Sequence, residues 1–154
     1  MTGKTLDYGL LLIRLALAAI MIAHGSQKLF TFGYGGVVGG FTQMGLPLPE
    51  ISAALIIATE LGGGLLILAG LLTRFAAAAF AFAMLVAMAK VHWPAGFFLP
   101  NGYEFTLMLA AASVGLVLTG PGLFSLDALI GRRRRTPAAD AYAEQPRDVK
   151  RRVA

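Results

Sequence analysis

The sequence predicts an all-α membrane protein, a four-transmembrane-helix bundle with its N- and C-termini in the cytoplasm. Hydrophobic residues make up 57 % of its 154 residues and charged residues only 14 %, whereas a soluble domain carries about 25 % charged residues. Four stretches also have roughly the 20 apolar residues that a helix needs to cross a bilayer. Because so few charges cannot cover a water-facing surface, we expect lipid around the chain.

The four predicted spans run from about Leu6 to Phe30, Ile51 to Leu72, Arg74 to Trp93 and Tyr103 to Gly120. The first resembles a signal peptide, but an arginine interrupts its apolar core and no small-residue cleavage site follows, so we expect a retained helix. Its connection to the second span is rich in glycine and aromatic residues, which favours an interfacial or re-entrant segment. The spans together predict one transmembrane domain, residues 1–130.

Basic residues predict the orientation of these spans. The tail, residues 131–154, holds eight basic and three acidic residues, whereas the rest of the chain holds five of each. With four spans, Lys4, Arg74 and the run Arg132–Arg135 share one side, which the positive-inside rule makes cytoplasmic. The low hydrophobicity of the tail, residues 131–154, predicts that it is disordered. A nucleic-acid-binding protein would carry its basic residues on the folded domain, so we expect no nucleic-acid partner.

Ionisable residues inside the apolar stretches are the candidate site residues, because each costs about 2.5–3.5 kcal/mol at a helix centre. A rise of 1.5 Å per residue places most of them in the outer half of the bundle and Arg14 alone in the inner half. The first helix presents its members on one stripe of about 80°. We therefore predict a polar pocket that faces outward. Its candidates are Arg14, His24, Lys28, Glu60, Lys90, His92 and Glu104.

Each candidate also has a structural interpretation. Glu60 would pair with Arg14 or His24 and hold two helices together, and the lysines would extend to the lipid headgroups. His92 would belong to an interfacial belt, and Glu104 would interact with the dipole of its own helix. Two histidines on different helices are the minimum for haem ligation, but these two differ in depth. Two histidines alone are a weak signal for haem, and without cysteine the chain has no thiolate ligand for zinc or an iron–sulfur cluster. We therefore expect neither haem nor a metal.

Several short motifs, taken in order along the chain, are similar to those of the DoxX family of small bacterial membrane proteins with four helices. The similarity runs from about Leu10 to Asp127. Its pieces are Arg14, His24-Gly25-x-x-Lys28, Gly45-Leu46-Pro47, Glu60-Leu61-Gly62-Gly63-Gly64, Gly70-Leu71-Leu72-Thr73-Arg74, Lys90 with His92, Asn101-Gly102-Tyr103-Glu104 and Gly120-Pro121-Gly122 with Ser125 and Asp127.

The resemblance implies a multi-pass protein of the bacterial inner membrane that takes part in redox chemistry. Some relatives oxidise thiosulfate with quinone as acceptor, and others form oxidative-stress complexes with soluble redox enzymes. We therefore expect a quinone-linked oxidoreductase, or a subunit of one, with quinone as a substrate. Glu60 and His24 would be catalytic, and the other five candidates would bind substrate or quinone.

A second, non-catalytic function fits the same sequence. The chain would then anchor a soluble enzyme at the membrane, or let a small molecule pass through it. The discriminating residue is Glu60, because an enzyme or a carrier needs an ionisable pocket, whereas a pure anchor needs only its helices and its tail. Faces rich in glycine and alanine would also permit a homo-oligomer.

Overall fold

The computed structural model describes residues 3–131, and this part of the chain is entirely helical apart from its connections. Three helical stretches, Gly3–Gln43, Pro49–Ala69 and Thr73–Ala95, are long and apolar enough to cross a membrane, and a fourth apolar helix of 16 residues is shorter. The first stretch consists of two α-helices joined by a π-helical turn. We number the helices α1 (Gly3–Ser26), α2 (Gly33–Gln43), α3 (Pro49–Ala69), α4 (Thr73–Ala95), α5 (Glu104–Thr119) and α6 (residues 126–131).

The predicted spans agree with α1, α3, α4 and α5 to within a few residues. A turn at Gly70–Leu72 joins α3 to α4 in the tight hairpin that the sequence predicts. The predicted cytoplasmic tail, from residue 132 onward, lies outside the described residues.

The connection after the first span differs from the prediction, because most of it is a helix. A π-helical turn, Gln27–Phe32, links α1 to α2, and Gly33 then takes a φ of +69° that redirects the chain. The hydroxyl of Tyr34 on α2 donates a hydrogen bond of 2.9 Å to the carbonyl of Glu50 on α3. A helix satisfies its own backbone groups, which an apolar environment requires even of a glycine-rich segment.

Glycines allow α1 and α3 to cross at close range. A Cβ built on Gly25 would lie 2.6 Å from the backbone nitrogen of Leu61, and one on Gly64 would lie 3.0 Å from the Cβ of Met21. Within the glycine run of α3, Gly64 therefore admits the neighbouring helix. Gly62 does not face it, since a Cβ built there meets no atom within 4 Å.

Replacing Gly25 by alanine is expected to destabilise the fold by about 1–3 kcal/mol, because the new methyl group forces two backbones apart. The matched control is Gly9→Ala on the same helix, where a built Cβ meets nothing within 4 Å. Unfolding in mixed micelles, followed by circular dichroism, measures both variants. Equal stability of the two would contradict the close crossing.

Arg14 forms hydrogen bonds at the end of the bundle where α1 begins. Its side chain is 1 % exposed, and its guanidinium donates four hydrogen bonds to backbone carbonyls. Two go to the end of α3, at Ile67 (3.0 Å) and Leu68 (2.9 Å). Two go to the chain after α5, at Pro121 (3.0 Å) and Phe124 (2.7 Å). Arg14 therefore joins three separate parts of the chain.

Asp127 forms further hydrogen bonds at the same end of the bundle. Its two carboxylate oxygens accept hydrogen bonds from the backbone nitrogens of Leu72 (3.0 Å) and Thr73 (3.1 Å), at the start of α4. Its own nitrogen donates to the carbonyl of Gly70 at 2.9 Å. A carboxylate at a helix N-terminus pairs with amides that lack partners and with the positive end of the helix dipole. Asp127 therefore holds the segment after α5 against the start of α4.

Candidate functional site

A buried ion pair between α1 and α3 forms the centre of the candidate site. The Nζ atom of Lys28 lies 2.6 and 2.9 Å from the two carboxylate oxygens of Glu60. Glu60 is 3 % exposed, and the side chain of Lys28 is 21 % exposed. Placing a carboxylate in an apolar interior requires a partner of opposite charge, and Lys28 supplies it. Glu60 therefore does not pair with Arg14 or His24, the two partners considered from the sequence.

Three helical irregularities surround this pair. The π-helical turn Gln27–Phe32 carries Lys28, and the turn Ala58–Gly62 within α3 carries Glu60. A third turn, Met88–His92 within α4, carries two more of the candidates. Turns of this kind are rare, and those that occur are often found at functional sites, since they move side chains out of the regular helix register. The sequence does not predict them, because no residue pattern distinguishes them from α-helix.

A cavity of about 580 Å³ extends from the ion pair toward α4 and α5. Side chains from α1 to α5 line it, and most of them are apolar. The segment that was expected to be an interfacial loop contributes Phe41, Met44 and Leu46 to the wall. Pockets of about 300–1,000 Å³ with apolar walls and a few polar groups are typical of small-molecule sites. The cavity therefore has the size and lining of a ligand site.

Five of the predicted site residues line this one cavity: His24, Lys28, Glu60, Lys90 and His92. Within residues 3–131, Lys90 has no ion-pair partner, so the cavity carries a net charge of +1 when its histidines are neutral. The ring nitrogen Nδ1 of His92 lies 2.8 Å from the carbonyl oxygen of Asn101, which orients that imidazole. The cavity thus combines a paired cation, a free cation and two imidazoles. Their roles in binding or catalysis stay predictions.

Two predicted site residues lie elsewhere. Arg14 does not line the cavity, and its hydrogen bonds go to backbone carbonyls at the other end of the bundle. Glu104 does not line it either, because its carboxylate accepts a hydrogen bond of 2.7 Å from the backbone nitrogen of Leu99. The structure adds three residues with hydroxyl groups to the wall, Ser52, Thr59 and Thr106. Thr59 precedes Glu60 by one residue and Thr106 follows Glu104 by two, and the sequence offered no other signal for these three residues.

Known proteins with similar sequences include proteins of two bacteria. The DoxX family model matches residues 9–93. "Putative oxidoreductase CatD" of Bacillus subtilis (strain 168) is 33 % identical over 133 residues, covering 86 % of this chain and 95 % of that protein. "Inner membrane protein YphA" of Escherichia coli (strain K12) is 32 % identical over 141 residues, covering 82 % and 97 %.

A third relative, "Inner membrane protein YqjF" of Escherichia coli (strain K12), is 33 % identical over 134 residues, covering 84 % of this chain and 98 % of that protein. No solved structure gives a significant match. The names of the two Escherichia coli relatives, together with the three long apolar helices, confirm the predicted location of a multi-pass protein in the bacterial inner membrane.

Proposed function

Since this chain belongs to the DoxX family, we propose that it is a membrane-embedded redox protein whose cavity receives a quinone. It acts as a quinone-linked oxidoreductase or as a subunit of a membrane oxidoreductase complex. One relative carries the name of an oxidoreductase. The single observation that carries the proposal is the buried pair of Lys28 and Glu60 at one end of an apolar cavity.

The walls of the cavity suit a quinone head. Such a head is a flat apolar ring with two carbonyl oxygens that accept hydrogen bonds and cannot donate any. The ammonium groups of Lys28 and Lys90, the imidazoles of His24 and His92 and the hydroxyl of Thr59 are among the donors that the cavity offers. An apolar wall with a few convergent donors fits that chemistry, and the volume of about 580 Å³ leaves room for a second small molecule.

Lys28 and Glu60 would manage protons at this site. A quinone takes up two electrons and two protons when it is reduced to a quinol. Lys28 would hold a carbonyl oxygen by a charge-assisted hydrogen bond, and Glu60, already in contact with Lys28 Nζ, would take up and deliver a proton. His24, near the end of α1, lines the same cavity as Lys28 and would be the second proton carrier.

The electrons would come from outside the chain. It has no cysteine, and none of its side chains in the cavity is a carrier of electrons. The donor is therefore a reduced substrate bound beside the quinone, or a soluble redox enzyme that docks on the membrane domain. In this arrangement α5 serves as the fourth span, both termini lie in the cytoplasm, and the cavity occupies the outer half of the bundle.

Binding of tetramethyl-benzoquinone to the protein in lipid nanodiscs tests the proposal. Trp93 is the single tryptophan and directly follows His92 of the cavity wall, so its fluorescence reports on the site. We expect saturable quenching, with Kd raised about tenfold in Glu60→Gln, which corresponds to about 1.4 kcal/mol. The amide offers one acceptor oxygen where the carboxylate offers two, and it holds Lys28 less firmly.

The matched control is Glu50→Gln, an exposed carboxylate at the start of α3 that does not line the cavity. Its Kd should equal that of the wild type, and circular dichroism should show both variants folded. Quenching that never saturates and is identical in all three proteins would sink the quinone site. An anchor for a soluble enzyme, or a permeability protein, would then be the better account.

A further inference from the structure

Two residues of the cavity wall are also among the most exposed apolar side chains of the bundle. Leu55 on α3 is 62 % exposed and Phe82 on α4 is 70 % exposed, and both line the cavity. A side chain in the wall of an enclosed cavity keeps little surface outside it. The cavity therefore reaches the surface of the protein between these two helices.

This opening lies within the membrane-spanning length of both helices. The two helices meet at the turn Gly70–Leu72. Counted from that turn at 1.5 Å per residue, Leu55 is about 21 Å along α3 and Phe82 is about 14 Å along α4. Both side chains thus lie at depths where hydrocarbon surrounds the protein.

The cavity therefore has two ends of opposite character. The inner end holds the charged pair of Lys28 and Glu60, whereas Leu55 and Phe82 flank an opening that meets lipid tails. Water would have to cross hydrocarbon to enter by this route, while a molecule dissolved in the bilayer would not. A ligand that matches both ends has a polar head and a long apolar tail.

We propose that the cavity opens sideways into the bilayer between α3 and α4, and that its ligand is a tailed amphiphile. Its head reaches Lys28 and Glu60, and its tail leaves between Leu55 and Phe82. The inference rests on the proposed function for the head, which makes the occupant a long-tailed quinone of the membrane pool. The opening then selects for the tail, and the ion pair selects for the head.

The test compares a tail-less quinone with a long-tailed one, both titrated against the protein in nanodiscs by isothermal titration calorimetry, because the variants below add a second tryptophan beside Trp93. The variant Leu55→Trp narrows the opening. We expect it to raise the Kd of an isoprenoid-tailed benzoquinone about tenfold while the Kd of tetramethyl-benzoquinone changes less than about twofold. The matched control is Leu65→Trp on the same helix, since Leu65 is 53 % exposed and does not line the cavity.

A second measurement needs no substitution. A quinone that carries a diazirine at the end of its tail should, on illumination of the wild-type protein, label peptides of α3 and α4 around Leu55 and Phe82. If both quinones bind but Leu55→Trp affects neither or both equally, and the label falls elsewhere, the lateral opening is overturned while the quinone site stands. If neither quinone binds the wild type, both proposals fail.

Discussion

Replacing Arg14 by methionine should lower the free energy of unfolding by about 4 kcal/mol or more, because four backbone carbonyls lose their donor at once. A hydrogen bond to a charged group contributes about 1.5–3 kcal/mol. Bonds within membranes contribute less, since freed groups find other partners, so we take about 1 kcal/mol for each. Equilibrium unfolding in bicelles measures the loss.

The matched control is Arg74→Met, which removes the same charge from an exposed side chain at the start of α4. It should change the free energy of unfolding by less than about 0.5 kcal/mol. If both variants lose the same free energy of unfolding, the hydrogen bonds of Arg14 do not stabilise the bundle.

Removing only the lysine of the buried pair should have the second-largest effect. Lys28→Met leaves Glu60, at 3 % exposure, without a partner. Breaking a buried pair in this way costs about 3–5 kcal/mol. We expect about 3 kcal/mol, the lower end of that range. The side chain of Lys28 is 21 % exposed, so the pair is not fully buried.

The double variant Lys28→Met/Glu60→Leu should recover most of that loss, since an apolar pair of similar volume is often as stable as a buried ion pair. Lys90→Met is the control for removal of a cavity lysine, as Lys90 has no ion-pair partner within residues 3–131. A double variant no more stable than Lys28→Met would mean that the carboxylate is not the source of the cost.

The sequence predicted which face of α1 is polar but not which contacts that face makes. Arg14 and Lys28 lie on one stripe, yet 14 residues separate them by about 21 Å along the axis. They therefore serve opposite ends of the bundle, and the depth estimate already set Arg14 apart from the other candidates. Periodicity gives the angle around a helix, and it does not name the partner helix.

No pattern in the sequence predicted the irregular parts of the fold. Each π-helical turn shifts the side chains beyond it out of the 3.6-residue register, so a periodic pattern cannot locate it. Glycine-rich segments are usually read as loops, and α2 forms a helix because the bilayer penalises unpaired backbone groups. Glu104 was placed near the cavity by depth alone, but its carboxylate is held by the backbone of Leu99.

The most direct test of the account is the quinone content of the protein extracted with its own lipids in polymer nanodiscs. Wild type and the folded variant Lys28→Met/Glu60→Leu would be purified from the same bacterial membranes, and quinone would be measured per chain against phospholipid. If the cavity binds quinone, the wild-type protein should carry about one quinone per chain above the lipid background, and the variant should carry only the background. Equal quinone in both would contradict the assignment of this cavity to quinone.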